Sequence, residues 1–403
     1  MKILRITFYL ITLLPITCYL SPSTYYLSLD ELFNEKSYFC RLIATAMFRP
    51  RTLFVLPLIL LMLASCHREE VYEPTPYQLV IPRYFPTDLN IPADNPLTEE
   101  GVALGKALFS DPIIRGYTGT SPDSMFSCAT CHVPSAGYDL GADNPHLRNG
   151  RPVGVHGTSP KHNALPLVNL VFNHEGYLWN GAATDLESIV GAAIRDPDEL
   201  AADPARVVAA ISANPTYRTM FAKAFGTEEV TLDRIQKAVA QYLRTLIAAN
   251  SKFDRYLRGE AQLSPEELRG YILFSTEEGA DCYHCHGGAG TPLFTTNLFY
   301  NNALDANPDL TGDRSSVTGN ASDCGAYRAP TLRNIEKSAP YMHDGRFTTL
   351  DEVLEFYNTG LQTSPYVHPY MHRINDGGVC LTPSQLADLK SFLMTLTDEM
   401  VDK

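Results

Sequence analysis

A chain of 403 residues, 45% hydrophobic and 19% charged, carries enough apolar side chain for a sizeable core, and its length suggests two domains once leader segments are set aside. A formal net charge of −13 argues against nucleic acid as a partner. An acidic face could steer a basic partner, although general solubility explains the same charge.

The chain opens on "MKILRITFYLITLLPITCYL", basic and then apolar, but Thr17 ahead of Cys18 makes a poor cleavage site. A second such stretch, "MFRPRTLFVLPLILLMLASCHREE", begins at Met47. Arg49 and Arg51 form a basic region, Leu53 to Leu63 an apolar one, and Leu63-Ala64-Ser65-Cys66 follows. This resembles a bacterial lipoprotein signal with Cys66 as the acylated mature N-terminus, and the apolar run is short for a membrane span. Two export signals in series make little physical sense. Residues 1–46 are therefore expected to be an upstream extension, 47–66 the signal, and the proline-rich 67–96 a tether between lipid and globule. The expected location is the periplasmic side of a membrane, held by the lipid anchor.

In "LTEEGVALGKALFSDP", Thr98 can cap a helix whose apolar face is Val102, Leu104, Ala107 and Leu108, ending at Asp111-Pro112. The pentad Cys128-x-x-Cys131-His132 comes soon after. "RVVAAISANP" and "TYRTMFAKAF" read as short helices, and "TLDRIQKAVAQYLRTLIAANSKFDRYL" as one long helix with apolar residues at i, i+3, i+4 spacing. "LSPEELRGYILFS" then repeats the earlier pattern and is followed by Cys282-x-x-Cys285-His286. No alternating β-rich run of comparable length occurs. The class is mainly α, with two domains of one kind in tandem, 97–255 and 256–403, each a helix followed by a pentad.

Such a pentad fits a zinc knuckle, a thioredoxin-like redox pair or covalent attachment of a c-type haem. Histidine directly after the second cysteine favours haem: two thioethers fix the porphyrin while the imidazole reaches the iron from the adjacent turn. A redox pair has no need of that histidine, and two pentads make chance a poor explanation. Haem attached this way is assembled outside the cytoplasm, in agreement with the export signal. Once Cys18, Cys40, Cys66 and the four pentad cysteines are set aside, Cys324 and Cys380 remain, as a disulfide or as two independent thiols.

The blocks "LGKALFSDP…SCATCH", "NALPLVNLVFN…LWNGAATDLES", "DPDEL", "IQKAVAQYLRTLIAANSKFDRY", "LRGYILFS…CYHCHGG", "YRAPTLRNIEKSAPYMHDGRF" and "LADLKSFLMTLTDE" run in order along the chain. This succession resembles the bacterial di-haem cytochrome c peroxidases and their relatives, the methylamine-utilisation di-haem enzymes. The resemblance implies an N-terminal peroxidatic haem on Cys128, Cys131 and His132, and a C-terminal electron-transfer haem on Cys282, Cys285 and His286. It places Trp179 between the haems and makes Glu199 the acid-base catalyst. Where the family has a glutamine near that glutamate, this chain has Ile189.

By the same resemblance His156, in "GVHGTSP", is the displaceable ligand of the first iron, with His146, His162 and His174 as rivals, and its glycine neighbours would let the loop swing. The second iron would take Tyr357, as in the methylamine-type enzymes, or Met371, as in the peroxidases. Asn163 and the carbonyls of Arg328 and Pro330 match a calcium site, and oxygen donors suit that hard cation. Arg333, His343 and Arg346 could bind haem propionates. The implied activity is reduction of hydrogen peroxide to water with electrons from an external donor such as a small cytochrome c. The alternatives are a methylamine-type oxidase and a non-catalytic electron carrier. Family members are often homodimers, but no stretch here marks an interface.

Overall fold

The computed structural model describes residues 72–117, 125–288 and 290–398. The expected upstream extension, the lipoprotein signal with Cys66 and the first residues of the expected tether lie outside the described residues. No helix among the described residues is long and apolar enough to cross a membrane.

The helices are α1 (Glu99–Ser110), α2 (Cys128–Cys131), α3 (Leu186–Arg195), α4 (Pro204–Ala213), α5 (Pro215–Phe225), α6 (Leu232–Arg244), α7 (Lys252–Leu257), α8 (Pro265–Phe274), α9 (Tyr283–His286), α10 (Ser315–Thr318), α11 (Leu350–Thr359) and α12 (Pro383–Met394). Two antiparallel ribbons accompany them: β1 (Leu147–Arg148) with β2 (Arg151–Pro152), and β3 (Phe299–Tyr300) with β4 (Tyr327–Arg328). The protein is mainly helical. Thr98 caps α1 by accepting from the Gly101 N–H, and Ser264 with Glu267 forms a reciprocal capping box on α8, so both pentads follow helices with side-chain-satisfied starts.

Each of these helices crosses a partner closely at a glycine. A Cβ on Gly105 of α1 would stand 1.9 Å from the Ala238 carbonyl oxygen of α6, and one on Gly270 of α8 would stand 2.0 Å from the Asp388 carbonyl oxygen of α12. Only a residue without a side chain permits either approach. Two cores grow around the crossings. The first contains Leu104, Leu108, Ile194, Ile235 and Val239, and the second Phe253, Phe274, Phe294, Phe392 and Leu396.

Three expectations change. The long helix expected over 231–257 is two helices, because the segment between them is drawn into tertiary hydrogen bonds. Asn169 brackets it, donating its N–H to the Leu246 carbonyl (2.7 Å) and accepting from the Ala248 N–H at Oδ1 (3.0 Å), while Asp398 takes the N–H groups of Ala249 and Asn250. Ser251 then caps α7 anew. Phe253 of α7 packs in the second core, so the expected boundary at 255 cuts a helix that belongs with the C-terminal half.

The third change concerns the tether. From Tyr72 on, the arm lies on the globule: Phe85 is buried with Val171, Phe172 and Leu293, and Asn95 donates to Glu187 at 2.6 Å. Val171 and Leu293 come from opposite halves of the chain, so this arm covers the seam between them.

Arg333, expected to reach a haem propionate, is fully enclosed and engaged elsewhere. It forms a two-pronged ion pair with Asp254 (2.7 and 2.8 Å), and both side chains are without solvent exposure. Removing one member leaves the other charge buried and alone. Asp254→Ala is expected to cost about 3–5 kcal/mol in chemical denaturation, well above an exposed aspartate such as Asp88.

Candidate functional site

The first pentad forms the one-turn helix α2, with the Ser127 N–H donating to Thr130 Oγ1 (2.9 Å) and the His132 N–H to the Cys128 carbonyl (3.0 Å). The chain turns back at Gly137 (φ 71°) and Tyr138 (φ 61°), and Val133 pairs with Asp139. That turn delivers the Tyr138 carbonyl to His132 Nδ1 at 3.3 Å. The Tyr138 hydroxyl meets that of Tyr242 at 2.9 Å, tying the turn to α6.

The second pentad is built alike around α9, but its imidazole finds a distant partner: His286 Nδ1 lies 3.1 Å from the Pro330 carbonyl. In both sites Nδ1–H donates to a backbone carbonyl, which leaves the Nε2 lone pair for a metal. Burial pushes both histidines down to about 4, so they are neutral at ordinary pH. Burial also pushes the four pentad thiols up to about 12. An exchange-active dithiol needs thiolate, which this burial disfavours, whereas thioether formation consumes the thiols. The residues fit haem.

Around the second pentad a largely apolar cavity brings Cys282, Cys285 and His286 together with Tyr357, Met371 and Trp179. Residues 99–262 match the family model of di-haem cytochrome c peroxidase. The methylamine utilization protein MauG of Methylorubrum extorquens is 33% identical over 316 residues, covering 78% of this chain and 83% of that protein. The chain belongs to the di-haem cytochrome c peroxidase family. Cytochrome c551 peroxidase of Nitrosomonas europaea is 35% identical over 268 residues, covering 66% of this chain and 75% of that protein. Among solved structures, a MauG-like protein associated with microbial copper homeostasis superposes with a TM-score of 0.70 at 31% identity, covering 80% of this chain and 96% of that one.

In this member of the family Glu199 sits half-buried beside the first pentad, close enough for its charge to help raise the thiols of Cys128 and Cys131. Burial, with repulsion from Asp196 and Asp198, pushes its carboxyl up to about 7. The His156 loop is held against the same segment: the Val155 N–H donates to the Glu199 carbonyl at 3.0 Å, and Gly154 abuts the Asp198 carbonyl. The His156 side chain is exposed, and nothing surrounds Gly157 (φ 77°). Of its rivals, His146 packs on Phe126, His174 faces Asp88 at the surface, and His162 stands beside Tyr327 and His343. Ile189, on α3, packs against the first core.

Trp179 joins the halves. Its indole N–H donates to the Asn163 carbonyl (2.7 Å), its own carbonyl accepts from the Arg328 N–H (2.8 Å), and its ring meets His343 edge-on at 6.4 Å. The Arg328 guanidinium reinforces this by donating to the carbonyls of Leu178 and Gly176. Asn163, Arg328 and Pro330 do converge on the cavity, but the Asn163 side-chain oxygen accepts from the Ala164 N–H and the Pro330 carbonyl faces His286. The Asn163 backbone carbonyl orients Trp179, and the Pro330 carbonyl orients His286. Arg346 is paired with Asp305 and Asp344, and His343 is stacked on Tyr327 at 3.8 Å.

In the cavity around the second pentad Tyr357 and Met371 are both present, so the structure keeps the two candidates together. The Tyr357 hydroxyl accepts from Asn302 Nδ2 at 3.0 Å, and the same amide nitrogen lies 3.8 Å from Met342 sulfur. Asn302, Met342, Tyr138 and the carbonyl role of Pro330 escaped the sequence reading. Only the positive φ of Tyr138 and Met342 singles them out, and sequence does not display it. Cys324 is buried and Cys380 exposed, both unpaired.

Trp179→Phe keeps a ring but leaves the Asn163 carbonyl without its donor. The expected loss is about 1–3 kcal/mol in denaturant unfolding of the folded protein.

Proposed function

We propose that this protein is a di-haem c-type peroxidase that reduces hydrogen peroxide to water with two electrons from an external donor such as a small cytochrome c. The observation that carries the reading is Glu199, a carboxyl with an affinity for protons near neutrality, beside the first of two pentads whose histidines are held neutral. When bound through the cysteines, two haem irons supply the redox centres, one accessible to peroxide and one to the donor. Tandem cytochrome c-like domains, one per pentad, are supported by the repeated helix, pentad and glycine crossing.

Reduction of one peroxide takes two electrons and two protons and releases two waters. Glu199 in its ionised form takes the proton from one peroxide oxygen and, once protonated, returns it to the departing one. A proton affinity near neutrality makes both halves of that exchange accessible. The Gly154 and Gly157 flanks let the His156 loop move aside while its contact with the Glu199 backbone keeps it at the site. Trp179, bonded to both halves, holds an aromatic ring between them. Export and the Cys66 lipid anchor belong to the same proposal and rest on the leader sequence and on the need to attach c-type haem outside the cytoplasm.

Glu199→Gln is expected to slow peroxide-driven oxidation of reduced cytochrome c by about 10²–10⁴-fold. In the unsubstituted enzyme kcat/KM for peroxide should rise with pH through about 7, because the base form is the acceptor. Asp198→Asn removes a like charge and should move that limb to lower pH. Full activity in Glu199→Gln would overturn the assignment.

One observation favours a second reading, a methylamine-type oxidase that stores oxidising equivalents. Tyr357 lines the second cavity with its hydroxyl held by Asn302, as an oxygen ligand would be. On this reading Tyr357→Phe changes the absorption of the oxidised second haem and Met371→Leu does not. A methionine-to-iron charge-transfer band that disappears in Met371→Leu would exclude it.

A further inference from the structure

Outside the residues used above, one cluster brings three metal-ligating side chains, one carboxylate and two imidazoles, into metal-binding proximity. Asp281 and His284 flank Cys282 in the second pentad segment, and His372 follows Met371 on a loop from a distant part of the chain. One ligand atom from each of the three lies within 4.8 Å of the others. The two Asp281 oxygens are shared out, Oδ1 facing His284 Nδ1 at 2.5 Å and Oδ2 facing His372 Nδ1 at 3.2 Å.

We propose that Asp281, His284 and His372 form a binding site for a divalent transition-metal ion of the Zn²⁺ or Cu²⁺ class. Metal–nitrogen and metal–oxygen bonds near 2.0–2.2 Å require donors roughly 3–4 Å apart, and the cluster is already near that spacing. Two imidazoles and a carboxylate select borderline ions over calcium or magnesium.

The surroundings hold the donors in place. Asp281 has a left-handed backbone (φ 54°), a conformation uncommon for a residue with a side chain, and this projects its carboxyl between the two rings. The His284 ring is stacked on Tyr370 (4.9 Å, 28°), and its other nitrogen, Nε2, faces Glu277 at 3.7 Å, the place of the outer carboxylate that orients a metal-bound histidine. The Asp281 side chain is 8% exposed and that of His372 46%, and both also line the cavity around the second pentad.

Three protein ligands leave a coordination position for water or an exogenous group, which makes the bound ion exchangeable. The ion would also fasten two segments. His284 belongs to the pentad that holds the second haem, and His372 is the neighbour of Met371, one of the two candidate ligands of that haem. Metal binding itself does not rest on the peroxidase reading; only this consequence for the haem does.

The test is equilibrium dialysis of the purified holoprotein against Zn²⁺, with metal counted relative to iron, and Cu²⁺ electron paramagnetic resonance to detect imidazole nitrogens. One Zn²⁺ per chain is expected. His372→Ala and Asp281→Asn should each weaken binding by more than about 100-fold, beyond the loss of an outer partner, with the haem absorption unchanged. His174→Ala, an exposed histidine far along the chain, should bind as the unsubstituted protein does. Retention of Zn²⁺ by His372→Ala at the same affinity, or no stoichiometric retention by the unsubstituted protein, would overturn the site. Peroxide turnover is not a readout of this experiment, so failure here and failure of the peroxidase reading are separate results.

Discussion

The organisation of this protein depends on one constraint, that a histidine which follows Cys-x-x-Cys must have its Nδ1 satisfied by a fixed backbone carbonyl. With Nδ1–H donating, the ring is neutral, its tautomer is set and Nε2 is left free to bind a metal. His132 meets this need locally, through a reverse turn to Tyr138, whereas His286 meets it through Pro330, far along the chain. The second solution makes the loop around Pro330 part of the haem site, and the same loop carries Arg328, which holds the backbone of Trp179. Orientation of His286 and placement of Trp179 are thus one structural problem.

The rest of the fold keeps those carbonyls where they are needed. Close crossings at Gly105 and Gly270 anchor the helix ahead of each pentad, and the buried pair of Arg333 and Asp254 ties the segment after Pro330 to the start of α7. The ion pair also accounts for an arginine that sequence reasoning would offer to a propionate. A buried guanidinium needs a fixed counter-charge, and here the protein supplies it. The N-terminal arm covers the seam between the halves with Phe85, whose ring lies 4.8 Å from the Arg333 guanidinium. Glu199 beside the first pentad, and Tyr357 with Met371 beside the second, make the halves unequal on a repeated plan.

Much of this was legible in residue order. The pentads, the capped helices before them and the collinear blocks specify the family, because these are local spacings whose chemistry needs little context. Glu199 and Trp179 stand out in their blocks, and the structure adds the burial and like charges that raise the Glu199 carboxyl and the hydrogen bonds that hold Trp179. The errors share a cause. Residues 245–250 have helical spacing, but Asn169 and Asp398 compete for their backbone groups. The proline-rich arm has no periodicity, yet its few aromatic and apolar residues find partners across the seam.

The sequence by itself determined the mainly helical class, the two Cys-x-x-Cys-His pentads and the family. Each follows from neighbours a few positions apart, where chain geometry leaves little freedom. Only the tertiary structure decided which carbonyl orients His286, which charges Arg333 and Arg346 neutralise, where the long helix breaks, and that Asp281, His284 and His372 meet. Those outcomes are competitions between distant groups for the same hydrogen bonds and the same buried space, and a linear order of residues does not contain the distances that settle them.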